Sequence, residues 1–138
     1  MSMSAIDLVR EVYDRGARRN VAGLLELVAD DVVVTQDPSL PWGGRYVGRD
    51  GVIEFFTKLT TTLDSTVSTE VLFQAGDDVV QCGRSRGTIG HSGRVVDVPE
   101  CHIWTIRDGT IAKAQFFIQS AAVLAAMNDV TAPTTTPN

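Results

Sequence analysis

Cysteine and histidine occur only twice each in the 138 residues, and 12 basic side chains face 17 acidic ones. No apolar run approaches the roughly 18 residues of a membrane span, so no association with a bilayer is expected. The two cysteines, Cys82 and Cys101, fall on strand-like stretches and read as small buried residues rather than a disulfide framework. A net charge of −5 leaves no clustered basic face for phosphate, and Arg84 with Arg86 reads as a strand pair on a solvated or subunit-facing surface. Nucleic acid is therefore not an expected partner. Gly43, Gly44 and Gly48 lack the Lys-Ser/Thr that completes a phosphate cradle. Asp97, Glu100 and His102 offer at most two same-side ligands on one strand, so no metal is expected. Met1 to Ser4 carry no basic patch leading into an apolar segment, which makes the cytoplasm the expected compartment.

What is present suits one globular domain, with 43% apolar and 21% charged residues. Ile6, Val9, Tyr13 and Ala17 recur at helical spacing and predict an amphipathic helix from about Ser4 to Arg19, capped by Ser4. A short helix over Val21 to Val28 follows, then a β-branched strand over Val32 to Thr35. Asp50 stands near the start of a third helix whose apolar surface is Val52, Ile53, Phe55, Phe56 and Leu59. Four strand-like stretches come next: Val67 to Ala75, Val79 to Ile89, Val95 to Ile106 and Ile111 to Gln119. The Asp108-Gly109 pair between the last two is a strong hairpin signal. An alanine-rich segment, Ala121 to Met127, closes the domain at about residue 130, and the Thr/Pro tail over 131–138 reads as disordered. Helices first and an antiparallel meander after them predict an α+β fold, three helices on one face of a strongly curved sheet.

Between the first strand and the third helix runs "TQDPSLPWGGRYVGRDG", residues 35 to 51. Asp37-Pro38 is by itself a common turn former, because the carboxylate can bond nearby backbone and proline fixes φ. Trp42 and Tyr46 are well sized to cover an apolar ligand or a neighbouring subunit, so the segment reads as the rim or lid of a hollow. Tyr13 on the inner helix stripe and His102 between Glu100 and Trp104 on one side of its strand could converge there with Asp37.

The order "LVREVYDRGARRNVAGLLELVADDVVVTQDP" followed by "GRDGVIEFF" resembles the ketosteroid isomerase branch of the NTF2-like, SnoaL-like superfamily, over almost the whole chain to about residue 127. The resemblance implies the cone-shaped fold of that superfamily and cofactor-independent proton transfer. In the isomerases the general base is the Asp of an Asp-Pro pair ending the first strand, and a first-helix Tyr donates to the oxyanion. Asp37 and Tyr13 look like those two. The second donor of that family is a protonated Asp on the third long strand, and His102 stands in its place. Asp37 is thus expected to shuttle a proton from a dry site, with Tyr13 and His102 stabilising the oxyanion. A base role for His102, oriented by Asp37 or Glu100, suits dehydration or cyclisation equally well.

Phe55, Trp104, Ala114, Phe116 and Ile118, with Trp42 and Tyr46, are expected to line a pocket for a small apolar carbonyl compound. Gln115 and Phe117 face the other way and suggest a homodimer through the outer sheet face. Two further readings stay open. One is a non-catalytic ligand-binding or dimeric module, the other a transport-factor-like protein holding partners on its outer sheet.

Overall fold

The computed structural model describes residues 3–128, so the tail over 131–138 lies outside the described residues. The first helix, α1 (Ala5–Ala17), starts where Ser4 Oγ accepts the Asp7 N–H at 3.1 Å, which satisfies one free donor of the first turn. Leu8, Val9 and Val12 bury the expected stripe, and Tyr13 packs against the core one turn beyond Val9. The second helix, α2 (Val21–Leu25), is capped by Asn20 and ends early, because Val28 already opens the first strand.

The remaining elements are β1 (Val28–Gln36), β2 (Gly44–Val47), α3 (Gly48–Thr62), β3 (Leu63–Ala75), β4 (Asp78–Ile89), β5 (Val95–Arg107), β6 (Thr110–Ile118) and α4 (Ser120–Met127). The strands make one six-stranded sheet in the order β2-β1-β6-β5-β4-β3. Its pairs are antiparallel except β1 with β6, which is parallel. The fold is α+β, with two elements beyond the expected set. β2 lies inside the glycine-rich excursion and pairs with β1 from Val33 opposite Val47 to Gln36 opposite Gly44. The alanine-rich segment is a fourth helix against β5. Among the described residues no helix is long and apolar enough to cross a membrane.

β3 lies close on β4. A register shift between Thr69 and Val71 marks a bulge in β3, and Gly83 lies opposite Thr69. A β-carbon at Gly83 would stand 1.9 Å from the Ser68 carbonyl oxygen. Gly83→Ala is therefore expected to force the strands apart and cost about 1–3 kcal/mol, read as a lower urea midpoint.

Strand alternation then decides which side chains meet the helices. β4 turns Val79, Gln81, Gly83 and Ser85 inward, and β5 turns Val96, Val98, Glu100 and Trp104 the same way. The concave face so acquires a polar strip of Gln81, Ser85, Glu100 and His102 in otherwise apolar surroundings.

Candidate active site

The helices leave part of the concave face uncovered, and a cavity of about 170 Å³ remains beneath them. Its apolar walls include Val12, Leu24, Trp42, Phe55, Phe116 and Ile118. Exposed Arg19 and Thr66 mark its mouth, where Arg19 is tied to Asp64 Oδ1 at 2.8 Å. Tyr13, Glu100, His102 and Trp104 border the same space.

These four side chains form a connected chain. The Trp104 Nε1–H donates to Tyr13 Oη at 2.9 Å, and Tyr13 Oη lies 2.7 Å from His102 Nδ1. His102 Nε2 lies 3.2 Å from Glu100 Oε2. Alternation along β5 brings Glu100, His102 and Trp104 to one side, while α1 lowers Tyr13 onto them. Phe116 packs edge-on against His102, with ring centroids 4.7 Å apart.

Burial sets the electrostatics. It pushes the His102 imidazole down to about 3, so the ring is neutral at ordinary pH. Burial pushes the Glu100 carboxyl up to about 7; the Gln81 amide draws it slightly back and the like charge of Glu70 adds to the rise. The hydrogen bond of Gln81 Nε2 goes to Thr69 Oγ1 at 3.1 Å. Glu100 is 1% exposed, and among the described residues neither of its oxygens has a well-aligned hydrogen-bond partner. Tyr13 is raised by burial, which outweighs the opposing Trp104 hydrogen bond.

Asp37 does not join this group. It is exposed, and its Oδ1 accepts the Ser39 N–H at 2.9 Å while its carbonyl accepts from Leu40 N. Hydrogen bonds from Ser120 and Ser39 hold its carboxyl below the ordinary range, which makes it a charged residue of a surface turn, apart from Tyr13 and His102. The turn is tight: a β-carbon at Gly43 would come 1.8 Å from the Asp37 carbonyl oxygen. Its purpose is visible in Trp42, which is 1% exposed, borders the cavity and donates its Nε1–H to Gln36 Oε1 at 2.9 Å.

Of the expected pocket residues, Trp42, Phe55, Trp104, Phe116 and Ile118 line the cavity. Tyr46 and Ala114 do not. Tyr46 is a buried core residue whose hydroxyl donates to the Trp42 carbonyl at 3.0 Å and whose ring backs Phe55, 5.5 Å between centroids. Ala114 pairs with Trp104 in the sheet and is too short to reach past it. Of the two carboxylates that the sequence offered as partners for His102, the structure places Glu100 beside it. The signal of Glu100 is an acid alternating with His102 and Trp104 on one strand face, a position where an unpaired charge is rarely buried. Among the described residues no cluster of three His, Cys, Asp or Glu could hold a metal ion. Cys82 and Cys101, Cα partners on adjacent strands, are free thiols 2.6 Å apart with no part in the cavity.

The comparisons with known proteins agree with this architecture. Residues 9–114 match the SnoaL-like domain family. The chain belongs to that family.

No curated protein sequence matches this SnoaL-like chain. Solved structures do. An NTF2-like protein of unknown function from Burkholderia pseudomallei is 25% identical with a TM-score of 0.84, covering 91% of this chain and 98% of its own. TerC, co-crystallised with polyporic acid, is 22% identical with a TM-score of 0.81 over 89% of this chain and 97% of its own. A protein with a ketosteroid isomerase-like fold from Catenulispora acidiphila, in complex with trimethylamine, is 19% identical with a TM-score of 0.79 over 94% and 97%. The fold of this SnoaL-like chain is thus NTF2-like, as the resemblance implies.

Proposed function

We propose that this SnoaL-like protein binds a small, mainly apolar carbonyl compound and moves a proton on it without a cofactor. The observation that carries the reading is the Tyr13–His102–Glu100 chain bordering an apolar cavity. Tyr13 Oη is the atom placed to meet a ligand, since both ring nitrogens of His102 face protein partners and the Glu100 oxygens are closed off. Proton uptake breaks a C–H bond beside the carbonyl and leaves its electron pair as an enolate. The proton goes to Tyr13 Oη, the hydroxyl proton to His102 Nδ1, and the Nε2 proton to the Glu100 carboxylate. Tyr13 resists ionisation in its buried setting, so its proton leaves as the new one arrives. Reversal returns the proton to the same carbon or another one, and the second outcome is an isomerisation.

The cavity suits one or two fused rings; an apolar cavity of about 150 Å³ already accepts benzene. That relatives of this fold were crystallised with polyporic acid and with trimethylamine supports a small-molecule ligand. Phe117, 52% exposed on the face away from the cavity, supports a homodimer through the outer sheet.

One observation favours a second reading. Asp37, the residue that resembles the isomerase base, faces solvent, as it would in a binding module that had kept the hollow alone. Both tryptophans of the chain border the cavity, so their fluorescence reports its occupation. With 1-tetralone in heavy water, saturable quenching and deuterium uptake next to the carbonyl are expected. Quenching without uptake favours the binding module, and neither result with a panel of one- and two-ring ketones removes the pocket reading.

A further inference from the structure

The hydroxyl of Tyr13, a residue that lines the cavity, has three hydrogen-bonding directions, and the protein takes two of them. Trp104 Nε1, a donor only, holds one, and His102 Nδ1 holds the other. Which way the proton lies between Tyr13 and His102 is set by the far end of the ring. If Glu100 is ionised, Nε2 carries the proton beside the carboxylate, 3.2 Å away, Nδ1 is bare, and Tyr13 donates to it. The cavity then meets a lone pair on Tyr13 Oη. If Glu100 is protonated, its O–H serves Nε2, Nδ1 carries the proton and donates to Tyr13 Oη, and the Tyr13 O–H turns to the cavity.

We infer that Glu100 is a positioning residue that switches the His102 tautomer, and thereby switches Tyr13 between a hydrogen-bond acceptor and a hydrogen-bond donor toward the ligand. The inference rests on the proposed ligand site for its use, and on geometry and burial for the switch. Two polar groups that bury no charge well, Glu100 and His102, face each other at 3.2 Å, and an unpartnered buried carboxyl is most cheaply satisfied by holding a proton that the bare Nε2 accepts. The imidazole stays neutral in both states, because burial disfavours its charge. The changeover falls at about 7, where Glu100 titrates.

Few charges compete for control of Glu100. On β5 its neighbour is His102. β4 presents Gln81, Gly83 and Ser85, which are uncharged, and β6 presents Phe116 and Ile118. β3 contributes the exposed Glu70, whose charge favours the protonated form. α1 contributes Tyr13, with Arg19 just beyond it neutralised by Asp64, and α4 carries no ionisable side chain.

Below the changeover Glu100 is protonated and Tyr13 offers a donor, so carbonyl and enolate oxygens are favoured. Above it Tyr13 accepts, and hydroxyl ligands or acidic C–H groups are favoured. During turnover the same two states are the chain before and after it takes the substrate proton, so the donor is presented as the enolate forms.

The test reads the imidazole itself. The chain has two histidines, and His91, exposed with Nε2 3.0 Å from the Met127 carbonyl, is an internal reference. In the full-length, ¹⁵N-labelled protein, ring-nitrogen correlations from pH 5.5 to 8.5 are expected to move His102 from the Nδ1–H to the Nε2–H tautomer as pH rises. Glu100→Gln, which cannot ionise, is expected to remove the inflection while His91 behaves as before. A single His102 tautomer across the range, an imidazolium pattern, or an inflection that survives Glu100→Gln would each overturn the switch. The wild-type titration alone suffices if that variant does not fold. Binding of 2-naphthol against 1-tetralone supplies the second readout: the ratio of their dissociation constants is expected to shift about tenfold toward naphthol between pH 5.5 and 8.5, the weight of one hydrogen bond. A tautomer change with neither probe bound supports the switch and removes the functional reading, whereas both probes binding with a ratio independent of pH overturns the coupling to Tyr13.

Discussion

His102→Ala is expected to lower the rate of α-proton exchange on 1-tetralone by about 10²–10⁴-fold, the range that a positioned acid–base group contributes. The imidazole is the link between the atom that meets the ligand and the carboxyl that stores the proton, 2.7 Å from one and 3.2 Å from the other. Removing it leaves Tyr13 with no acceptor for its proton and breaks the relay from Tyr13 to Glu100. Asp37→Asn is expected to leave the rate unchanged, because that carboxylate is engaged in its own turn and exposed to water. The reverse pattern, with activity lost in Asp37→Asn and kept in His102→Ala, would restore the isomerase-like assignment and discard the chain proposed above. The pH profile adds a sign. Glu100 must be ionised to receive a proton, so kcat/KM is expected to be low below about 7 and to reach a plateau above it. Glu100→Gln is expected to lose that limb.

Phe55→Ala is expected to cost about 3–5 kcal/mol of stability, nearer the lower figure because part of the ring already borders the cavity. Phe55 is 1% exposed and its ring meets Tyr46, Phe56 and Phe116 at centroid distances of 5.5, 5.2 and 5.4 Å. It joins α3 to the sheet and to the excursion that carries Trp42. Urea denaturation with an unchanged slope and a lower midpoint is the expected reading. A loss below about 1 kcal/mol would mean that the aromatic group is not a cooperative part of the core.

Much of the architecture was legible from residue order. The helical spacing of Val9 and Tyr13, the β-branched run after Asp31 and the Asp108-Gly109 hairpin each express local backbone preferences, and local preferences can be read one segment at a time. β2 was not legible, since four residues between glycines carry too little alternation to stand apart from a loop. The fourth helix was visible only as an alanine-rich segment, because so uniform a composition shows no stripe.

The site was legible in part. Tyr13 and His102 stand on the faces that their spacing implies, and they meet. Asp37 followed its local chemistry instead of its resemblance: an Asp before Pro bonds the backbone two residues on, and nothing nearby draws it inward. Tyr46 is large and aromatic, as a pocket residue should be, but its hydroxyl is held by the Trp42 carbonyl, and it is Trp42 that lines the hollow.

The sequence by itself determined the order and kind of three helices, the first strand and the four-stranded meander, the α+β class and the inward stripe that carries Tyr13, because these depend on periodicity within a segment. Only the tertiary structure decided that Glu100 belongs to the chain and Asp37 does not. Whether a carboxyl is dry depends on what the neighbouring strands and helices place around it. For Glu100 that is Gln81 from β4, Tyr13 from α1 and a water-excluding sheet; for Asp37 it is a surface turn. Burial is a property of the assembled layers, and no stretch of residues 35 to 51 or 95 to 107 encodes it alone.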